Sequence, residues 1–326
     1  MARIGTVRIG ISGWTYPPWR GVFYPKGLPQ KRELDYAAGQ FRTLEINGTF
    51  YGMQRPDAFG SWADRAPDDF VFAVKGPRFI THMRRLRDAA TPLANFIASG
   101  LLRLGAKLGP ILWQFPASFR FEPERIETFL KLLPRDTAAA VALGRRHDHR
   151  LKAPAWLKPD ADRPMRHAFE IRSDTFRDQA FVDLLRRYDV ALVCADTVEW
   201  PRLMDLTADF VYCRLHGSEQ LYASGYDAAA LDTWAARVAA WASGDEPKGA
   251  DRIGGKARRR SRDVYVYFDN DMKVRAPFDA RGLEERVTRL LTRSRSPTSP
   301  ARAARTSGSS RSRSSAAHET RRSSAP

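Results

Sequence analysis

Short apolar segments with the two-residue period of β-strands alternate with segments of helical period along nearly the whole chain. The predicted strands lie at 8–12, 43–47, 70–75, 111–115, 168–172, 190–196, 210–216 and 263–270. Strands separated by helices are typical of a parallel sheet joined by crossover helices. Because eight such units in about 290 residues match the usual size of a (β/α)8 barrel with insertions, the sequence predicts a single-domain α/β protein with the TIM-barrel fold.

The predicted helices fill the stretches between these strands, with one exception. They lie at 31–41, 56–66, 91–108, 123–133 with a further piece through 141, 174–188, 200–206, 228–243 and 280–292. Residues 144–167 are rich in Arg, Pro and Asp and show no clear period. We therefore interpret this stretch as an insertion.

The C-terminal segment differs in composition from the rest of the chain. Residues 294–326 consist mainly of Ser, Arg, Ala and Pro, with almost no large apolar side chain. Such a segment cannot bury enough surface to offset the chain entropy that folding removes. The sequence thus predicts a barrel domain at 1–293 and a disordered Arg/Ser-rich tail at 294–326.

The net charge of +17 is concentrated in two segments. The tail holds seven Arg against one Glu, and residues 248–262 hold seven Lys or Arg against one Asp, so these segments together carry +12. The remainder has an ordinary charge balance, and the total alone therefore does not indicate a nucleic-acid-binding protein.

The sequence shows no sign of a membrane or secretory segment. No apolar run approaches the roughly 20 residues that cross a bilayer, and residues 7–11 alternate with Arg8 and Gly10 as a strand does. Cys194 and Cys213 lie in apolar strand segments without a CxxC spacing. We expect free thiols, a cytoplasmic location and no membrane partner.

Polar side chains end seven of the eight predicted strands. In a β/α barrel the carboxyl ends of the strands build the site, and residues two apart on a strand project to the same side. The candidates for the inward side are Glu45 and Asn47, Lys75, Gln114, Glu170 and Arg172, Asp196, Arg214 and His216, and Asp269 and Asp271. Buried ionisable groups concentrate where a ligand or a reaction uses them; the alternative is a ring of salt bridges that closes the barrel.

We assign candidate roles by residue type. Glu45, His216 and Asp269 are the predicted catalytic residues, because carboxylates and histidine move protons. The predicted substrate-binding residues are Trp14, Tyr16, Asn47, Tyr51, Lys75, Arg78, His82, Gln114, Glu170, Arg172, Asp196, Arg214 and Asp271. The aromatic residues of loop 14–29 could stack on a base or sugar, or form a hydrophobic lid on the barrel rim.

A metal site is left open but not favoured. Asp196, Glu170, Asp269 and His216 offer suitable ligand atoms, yet the chain contains no HxH or HExxH spacing. No GxGxxG, Walker-type or GxSxG motif is present either. These absences weigh against dinucleotide, nucleoside triphosphate and serine-hydrolase chemistry.

The position of each basic segment relative to the strands predicts the end of the barrel at which it lies. The loop 76–87, with Arg78, His82 and further arginines, follows a strand and is expected at the site. Residues 258–260, His147 and His149 precede strands and are expected on the opposite face.

One expectation concerns Glu45 itself. If it is held among the like charges of Glu170 and Asp269, Glu45→Gln should relieve repulsion and stabilise the fold. If it is instead the partner of Arg214 or Lys75, the same change should destabilise the fold. The active-site interpretation favours the first outcome.

Several motifs carry a resemblance to a known family. They are GISGWTYPPWRGVFYPKGLP at 10–29, LEINGTFY at 44–51, FAVKGPRFITHMRRL at 72–86, LWQFP at 112–116, YCRLHG at 212–217 and VYVYFDND at 264–271. The sequence resembles the YecE-like family, domain of unknown function 72, over residues 7–293. The resemblance implies a β/α barrel and brings no established reaction. Many members read E-x-R-H after the fifth strand, whereas this chain has Glu170, Arg172 and Ser173.

Three functions remain in competition. The first is a hydrolase or lyase without a nucleotide cofactor, acting on an anionic or polyhydroxylated small molecule. The second is a nucleic-acid binding or processing protein resembling metal-dependent endonuclease barrels, which the basic loop 76–87, the aromatic residues and the tail favour. The third is a binding module without catalysis. The sequence does not indicate the oligomeric state.

Overall fold

Eight parallel strands form a closed barrel in chain order. The structure, a computed structural model, describes residues 4–217 and 219–295, with the side chains of 294 and 295 left out. The strands are β1 (Val7–Ser12), β2 (Thr43–Ile46), β3 (Val71–Lys75), β4 (Leu108–Gln114), β5 (His167–Glu170), β6 (Ala191–Asp196), β7 (Phe210–Leu215) and β8 (Asp263–Phe268). Each pairs with the next, and β8 pairs with β1 to close the barrel. The predicted (β/α)8 barrel is confirmed.

Residues on each strand alternate between the barrel interior and the surrounding helices. Ala73, Ala195 and Tyr212 belong to the inner cluster, whereas Val74, Cys194 and their outward counterparts pack in the larger core outside the sheet. Because the period is two, this phase also fixes which strand-end side chains can reach the interior.

The helices lie mostly where the hydrophobic period places them. Those of the described residues are α1 (Glu33–Gln40), α2 (Gly48–Tyr51), α3 (Pro56–Arg65), α4 (Ala90–Ala98), α5 (Pro123–Leu132), α6 (Thr137–Gly144), α7 (Gln179–Arg187), α8 (Ala228–Ser243) and α9 (Ala276–Arg295). Short 3₁₀ turns add Pro17–Trp19, Gln30–Arg32, Leu101–Lys107 and Asp174–Phe176, and Phe79–Met83 forms a π-helix. The α2 turn and the π-helix replace predicted loop.

Two predicted helices are interrupted. The helix predicted at 91–108 divides into α4 and Leu101–Lys107 at Gly100, which has a φ of 113°. A Cβ at Gly100 would lie 2.4 Å from Pro56 Cα, so the break lets two segments approach closely. The helix predicted at 174–188 begins only after Asp178, whose carboxylate accepts a 2.8 Å hydrogen bond from the Ala180 amide.

The helix predicted at 200–206 is wrong. The connection between β6 and β7 has no helical residues, although consecutive side chains from Leu203 onward are buried. Its polar groups bind the segment before β8 instead: Met204 N donates to Asp251 O at 2.8 Å, and Asp205 accepts from Gly254 N at 2.7 Å. A helix with one apolar face could not bury all of these neighbouring residues.

The insertion returns to the face where the strands end. Helix α6 packs on α4, after which Asp148 accepts a 2.8 Å hydrogen bond from Asn95. Arg150 lines a groove beside the strand-end loops. The predicted placement of the neighbouring His147 and His149 on the opposite face is therefore wrong.

The basic residues 258–260 lie on the opposite face, as predicted. They line a groove of about 560 Å³ together with Asp189, which follows α7, and Thr207, which precedes β7. This groove is separate from the strand-end site.

The cysteines and chain ends bear on other predictions. Cys194 and Cys213 are opposite each other in the β6–β7 register, buried and free.

None of the helices that the structure describes has the length and apolarity needed to cross a bilayer. The predicted tail lies almost entirely outside the described residues, and α9 runs to Arg295, past the predicted domain boundary at 293.

Candidate functional site

Arg214 is the centre of a buried polar cluster at the strand ends. Its Nη2 donates to Glu45 Oε1 at 2.9 Å and to Asp269 Oδ2 at 2.8 Å. Its Nη1 donates to Glu170 Oε2 at 2.8 Å, and Ser12 Oγ lies 3.0 Å from Nη2. We call Ser12, Glu45, Glu170, Arg214 and Asp269 the Arg214 cluster; it joins strands β1, β2, β5 and β7 to the end of β8.

The cluster is held by mutual charge compensation. Burial would lower the pKa of Arg214, but Asp269, Glu45 and Glu170 outweigh it and raise that pKa well above its usual value. Burial would likewise raise the pKa of Glu170 and Asp269, but Arg214 is the first opposing influence and keeps the pKa of both below the ordinary range. Glu170, Asp269 and the Arg214 guanidinium are therefore charged at neutral pH.

Both carboxylate oxygens of Glu45 are occupied. Ser12 Oγ and Arg214 Nη2 donate to Oε1, and Tyr212 OH donates to Oε2 at 2.5 Å. Arg214 Nε adds a 3.1 Å hydrogen bond to Oε2. Glu45 is thus a satisfied partner of Arg214 rather than a carboxylate strained by like charges, and the premise behind a stabilising Glu45→Gln change is wrong.

Above the cluster lies an open cavity of about 770 Å³, which we call the barrel-top cavity. Ten of the predicted site residues line it: Tyr16, Asn47, Tyr51, Lys75, Arg78, His82, Gln114, Arg172, Asp269 and Asp271. Glu45, Glu170 and Arg214 lie beneath it in the cluster. The sequence therefore identified most of the residues that line this cavity.

Lys75 at the end of β3 is the most unusual group in this wall. The residue is buried, and its Nζ lies 4.3 Å from the centre of the Phe50 ring. In the part of the chain that the structure describes, Nζ makes no ion pair, since the nearby carboxylates bind Arg214. Burial and then the charge of Arg214 lower the pKa of Lys75 to about 8.

Two neighbouring cations differ in how firmly they are held. Arg172 donates to Glu170 Oε1 at 3.0 Å and lies 4.1 Å from the Trp200 ring centre, so it is fixed by charge and stacking. Arg78 contacts the Tyr51 ring at 5.7 Å and, within residues 4–217 and 219–295, forms no ion pair. Arg78 is therefore free to meet an anion.

His82 is neutral in this setting. Its Nδ1 lies 2.9 Å from Thr81 Oγ1. Burial and then the positive charge of Lys75 lower the pKa of His82 to about 4. The ring can therefore exchange hydrogen bonds with a ligand at neutral pH but adds no charge.

Asp271 is a carboxyl group of the cavity wall with a raised pKa. Burial and then the charge of Asp269 raise the pKa of Asp271 to about 6. Tyr16, on the same wall, donates its hydroxyl to Ser12 O at 2.6 Å, and burial followed by Asp269 raises the pKa of Tyr16 above its ordinary value. Asp271 can thus gain or lose a proton near neutral pH.

His216 lies beside the Arg214 cluster. Its Nδ1 is 3.1 Å from Asp269 Oδ2 and its Nε2 is 3.9 Å from Glu170 Oε1. Both nitrogens are buried, and the described residues offer neither a well-formed hydrogen bond. The predicted catalytic residues Glu45, Asp269 and His216 are therefore brought together, but only Asp269 lines the cavity.

Two predicted site residues lie elsewhere. Asp196 belongs to the outward phase of β6 and accepts hydrogen bonds from Arg202 at 2.7 Å and from Trp234 of α8 at 3.2 Å. Trp14 packs edge-on against Trp62 of α3, with ring centres 5.7 Å apart. Both predictions are wrong because these side chains fill the layer between strands and helices.

The metal hypothesis gains no support from this arrangement. Among the described residues, no group of three or more His, Cys, Asp or Glu side chains is placed to hold a metal ion. One of the four proposed ligands, Asp196, faces away from the other three. The remaining carboxylates bind Arg214.

The sequence interpretation missed four cavity residues, which are Phe50, Met83, Tyr222 and Met272. All come from loops after β2, β3, β7 and β8. Tyr51, Met83 and Met272 are 65–68% exposed, so the mouth of the cavity is apolar. Exposed apolar surface rimmed by polar groups is frequent at binding sites.

Positive backbone φ at non-glycine residues is concentrated in the loops at the strand-end face. Six described non-glycine residues have positive φ, and all but Asp189 follow a strand at the site face: Arg85, Leu86, Asp88, Tyr222 and Val274. The π-helix Phe79–Met83 lies in the same loop as the first three. Strained backbone and π-helical turns are frequent at functional sites.

Comparison with known sequences gives one family. A family model described as "Protein of unknown function DUF72" matches residues 8–304. The UPF0759 protein YecE of Escherichia coli strain K12 is 28% identical over 113 residues, which cover 35% of this chain and 39% of YecE. The protein of the same name from strain O157:H7 gives the same values. The match thus spans about two fifths of the length of these relatives.

Solved structures show the same fold. A DUF72 family protein from Thermotoga maritima MSB8 gives a TM-score of 0.66 at 24% identity, covering 87% of this chain and 99% of its own. A DUF72 family protein from Enterococcus faecalis V583 gives a TM-score of 0.59 at 15% identity, covering 87% and 98%. At these identities the likeness shows the barrel fold.

Proposed function

The chain belongs to the DUF72 family, and we propose that it is an enzyme acting on a small anionic or polyhydroxylated molecule in the barrel-top cavity. The observation that supports this proposal is the buried ammonium group of Lys75, which lines the cavity without an ion pair from any described residue. A buried charge without a partner is costly. A bound anion would supply the missing countercharge.

The other cavity groups fit the same kind of ligand. Arg78 adds a second cation without an ion pair among the described residues, and Asn47, Gln114 and Tyr16 offer groups for ligand hydroxyls. Asp271 supplies a carboxyl whose pKa is raised to about 6 by burial and Asp269. These groups suit hydrolysis or a lyase reaction that moves a proton at a bound anion, without a nucleotide cofactor.

Thermal shift measurements with small anions test the binding part. We expect phosphate or small carboxylates to raise the melting temperature of the wild type, and the rise to shrink in Arg78→Gln. Arg87→Gln is the matched control, because Arg87 lies in the same loop but does not line the cavity. No stabilisation by any anion, or equal loss in both variants, would contradict the proposal.

Turnover separates an enzyme from a binding module. Candidate phosphate esters and hydroxy acids are incubated with wild type and with Asp271→Asn. Turnover lost in the variant supports catalysis. Anion binding without turnover of any compound supports a binding module instead.

Nucleic-acid binding is the alternative that loop 76–87 favours. Its exposed arginines Arg84 and Arg87 lie close to the cavity mouth in the chain. However, Arg84 is paired with Asp88 and Arg85 donates to Ser118 O, and the mouth itself is apolar. A salt-dependent affinity for single-stranded DNA that falls in Arg87→Gln would favour this alternative.

A cytoplasmic location remains a prediction.

A further inference from the structure

Lys75 differs from every other lysine that the structure describes. It is the only one that is buried, and its Nζ faces an open cavity beside the Phe50 ring instead of a carboxylate. Lys107, by contrast, is partly buried and donates to Ala63 O at 2.6 Å and to Ala66 O at 2.8 Å. Apart from the Phe50 ring, the amine of Lys75 has no polar partner among the described residues, and it is therefore available to a ligand in the cavity.

We propose that Lys75 forms an imine with a small anionic carbonyl compound, such as a 2-oxo acid, bound in the barrel-top cavity. This inference rests on the proposed function, since Arg78 would hold the anionic group while the carbonyl carbon meets Nζ. It goes further by naming the substrate class and giving Lys75 a covalent role.

The covalent step balances within the cavity. The lone pair of neutral Nζ attacks the carbonyl carbon, the C=O π-electrons move to oxygen, and proton transfer from nitrogen to oxygen gives a carbinolamine. Protonation of its hydroxyl lets water leave with the C–O bond electrons, while the nitrogen lone pair forms the C=N bond of an iminium ion. Asp271 lines the same cavity and can donate that proton. Hydrolysis reverses each step and restores the amine.

The charges around Lys75 support a reactive amine. Burial and then Arg214 lower the pKa of Lys75 to about 8, against the opposing effects of Glu170, Glu45 and Asp269. At neutral pH the neutral fraction of such an amine exceeds that of an ordinary lysine by on the order of a hundredfold. His82 is neutral at this pH, so it brings no further charge close to the Lys75 amine.

Arg214 cannot take this role. Its guanidinium is bound by three carboxylates, and their charges keep it protonated. Lys75 is thus the one nitrogen nucleophile among the described cavity residues that is both basic enough to add to a carbonyl and free of a protein partner.

Reductive trapping tests the proposal. The full chain is incubated with pyruvate and sodium borohydride, digested, and analysed by peptide mass spectrometry. We expect Lys75 to carry the reduced adduct on the order of a hundredfold faster than an ordinary lysine does, with Lys107 as the control in the same digest. In Lys75→Arg the adduct on this peptide should vanish.

A parallel measurement separates this inference from the function on which it rests. Lactate has the same carboxylate but no carbonyl, so it reports anion binding alone through the melting temperature. Stabilisation by lactate with no selective adduct on Lys75 overturns the imine and leaves the anion-binding enzyme. Selective labelling of Lys75 supports the imine, and absence of both effects overturns both. Labelling of Lys75 at the same rate as Lys107 also overturns the imine.

Discussion

Glu45 shows how one carboxylate can be required for stability. Its four hydrogen bonds come from Ser12, Tyr212 and Arg214, and a glutamine amide would present a donor to one of these donors. We therefore expect Glu45→Gln to lower the free energy of unfolding by on the order of 3 kcal/mol. Urea unfolding followed by circular dichroism measures this change.

Glu33 provides the control for that substitution. It is equally buried, but its partner Arg20 has a side chain that is 41% exposed, so water can solvate the guanidinium when the pair is lost. Glu33→Gln should therefore cost about 1 kcal/mol or less. A stabilised Glu45→Gln protein would restore the like-charge interpretation.

Lys75 should make the stability of the fold depend on pH in the alkaline range. Its native pKa of about 8 is below the ordinary 10.5, so the native state binds fewer protons than the unfolded state between these values, and stability rises with pH there. Lys75→Met removes the cost of the buried charge. We expect the variant to melt higher than wild type at pH 7, with a difference that shrinks as the pH rises from about 8 to about 10. A difference independent of pH would contradict the lowered pKa.

At the scale of elements, Gly100 sets the break between α4 and the turn Leu101–Lys107. Its φ of 113° and the contact of a built Cβ with Pro56 at 2.4 Å disfavour any side chain. We expect Gly100→Ala to destabilise the fold by on the order of 2 kcal/mol.

The matched control for this glycine is Gly39 in α1, where a Cβ would meet nothing within 4 Å. Gly39→Ala should stabilise by roughly 0.5 kcal/mol, because alanine restricts the unfolded chain and favours helix. The melting temperatures of both variants, each compared with that of the wild type, measure these two effects. Equal effects would show that Gly100 is not constrained.

The elements predicted best are those with a clear period. Helix α8 has the predicted bounds, and the phase of β3 correctly placed Lys75 on the side of Ala73. Strand β6 reads ALVCAD, with apolar residues on both faces. Its sequence therefore did not reveal that Ala195 faces inward and Asp196 outward.

The contents of the site depended on contacts that no local pattern contains. Glu45 and Arg214 are 169 residues apart, and only barrel closure makes them partners. Tyr222 comes from a loop with a positive φ, where hydrophobic period carries no information. The sequence thus predicted which strand ends are polar, but not which charges neutralise one another.

At the scale of the whole molecule, the barrel and the basic tail should be separable. Residues 296–326 lie beyond α9 and hold six Arg against one Glu. We expect removal of 296–326 to leave the melting temperature unchanged and to weaken heparin binding, with a smaller salt dependence, because fewer counterions are released. A fall of several degrees in the shortened protein would show that these residues contribute to the fold.

The pairing of β1 with β8 has a consequence for synthesis of the chain. Val7 is opposite Val264, and Ile11 is opposite Phe268, so the first strand cannot gain its second neighbour until the chain has left the ribosome as far as Phe268. Until then one edge of β1 stays open to wrong pairing. Arg214 likewise lacks Asp269, which is made 55 residues later. The nascent protein must therefore tolerate an open sheet edge from the synthesis of β1 until that of β8, and a partly compensated guanidinium during the 55 residues between Arg214 and Asp269.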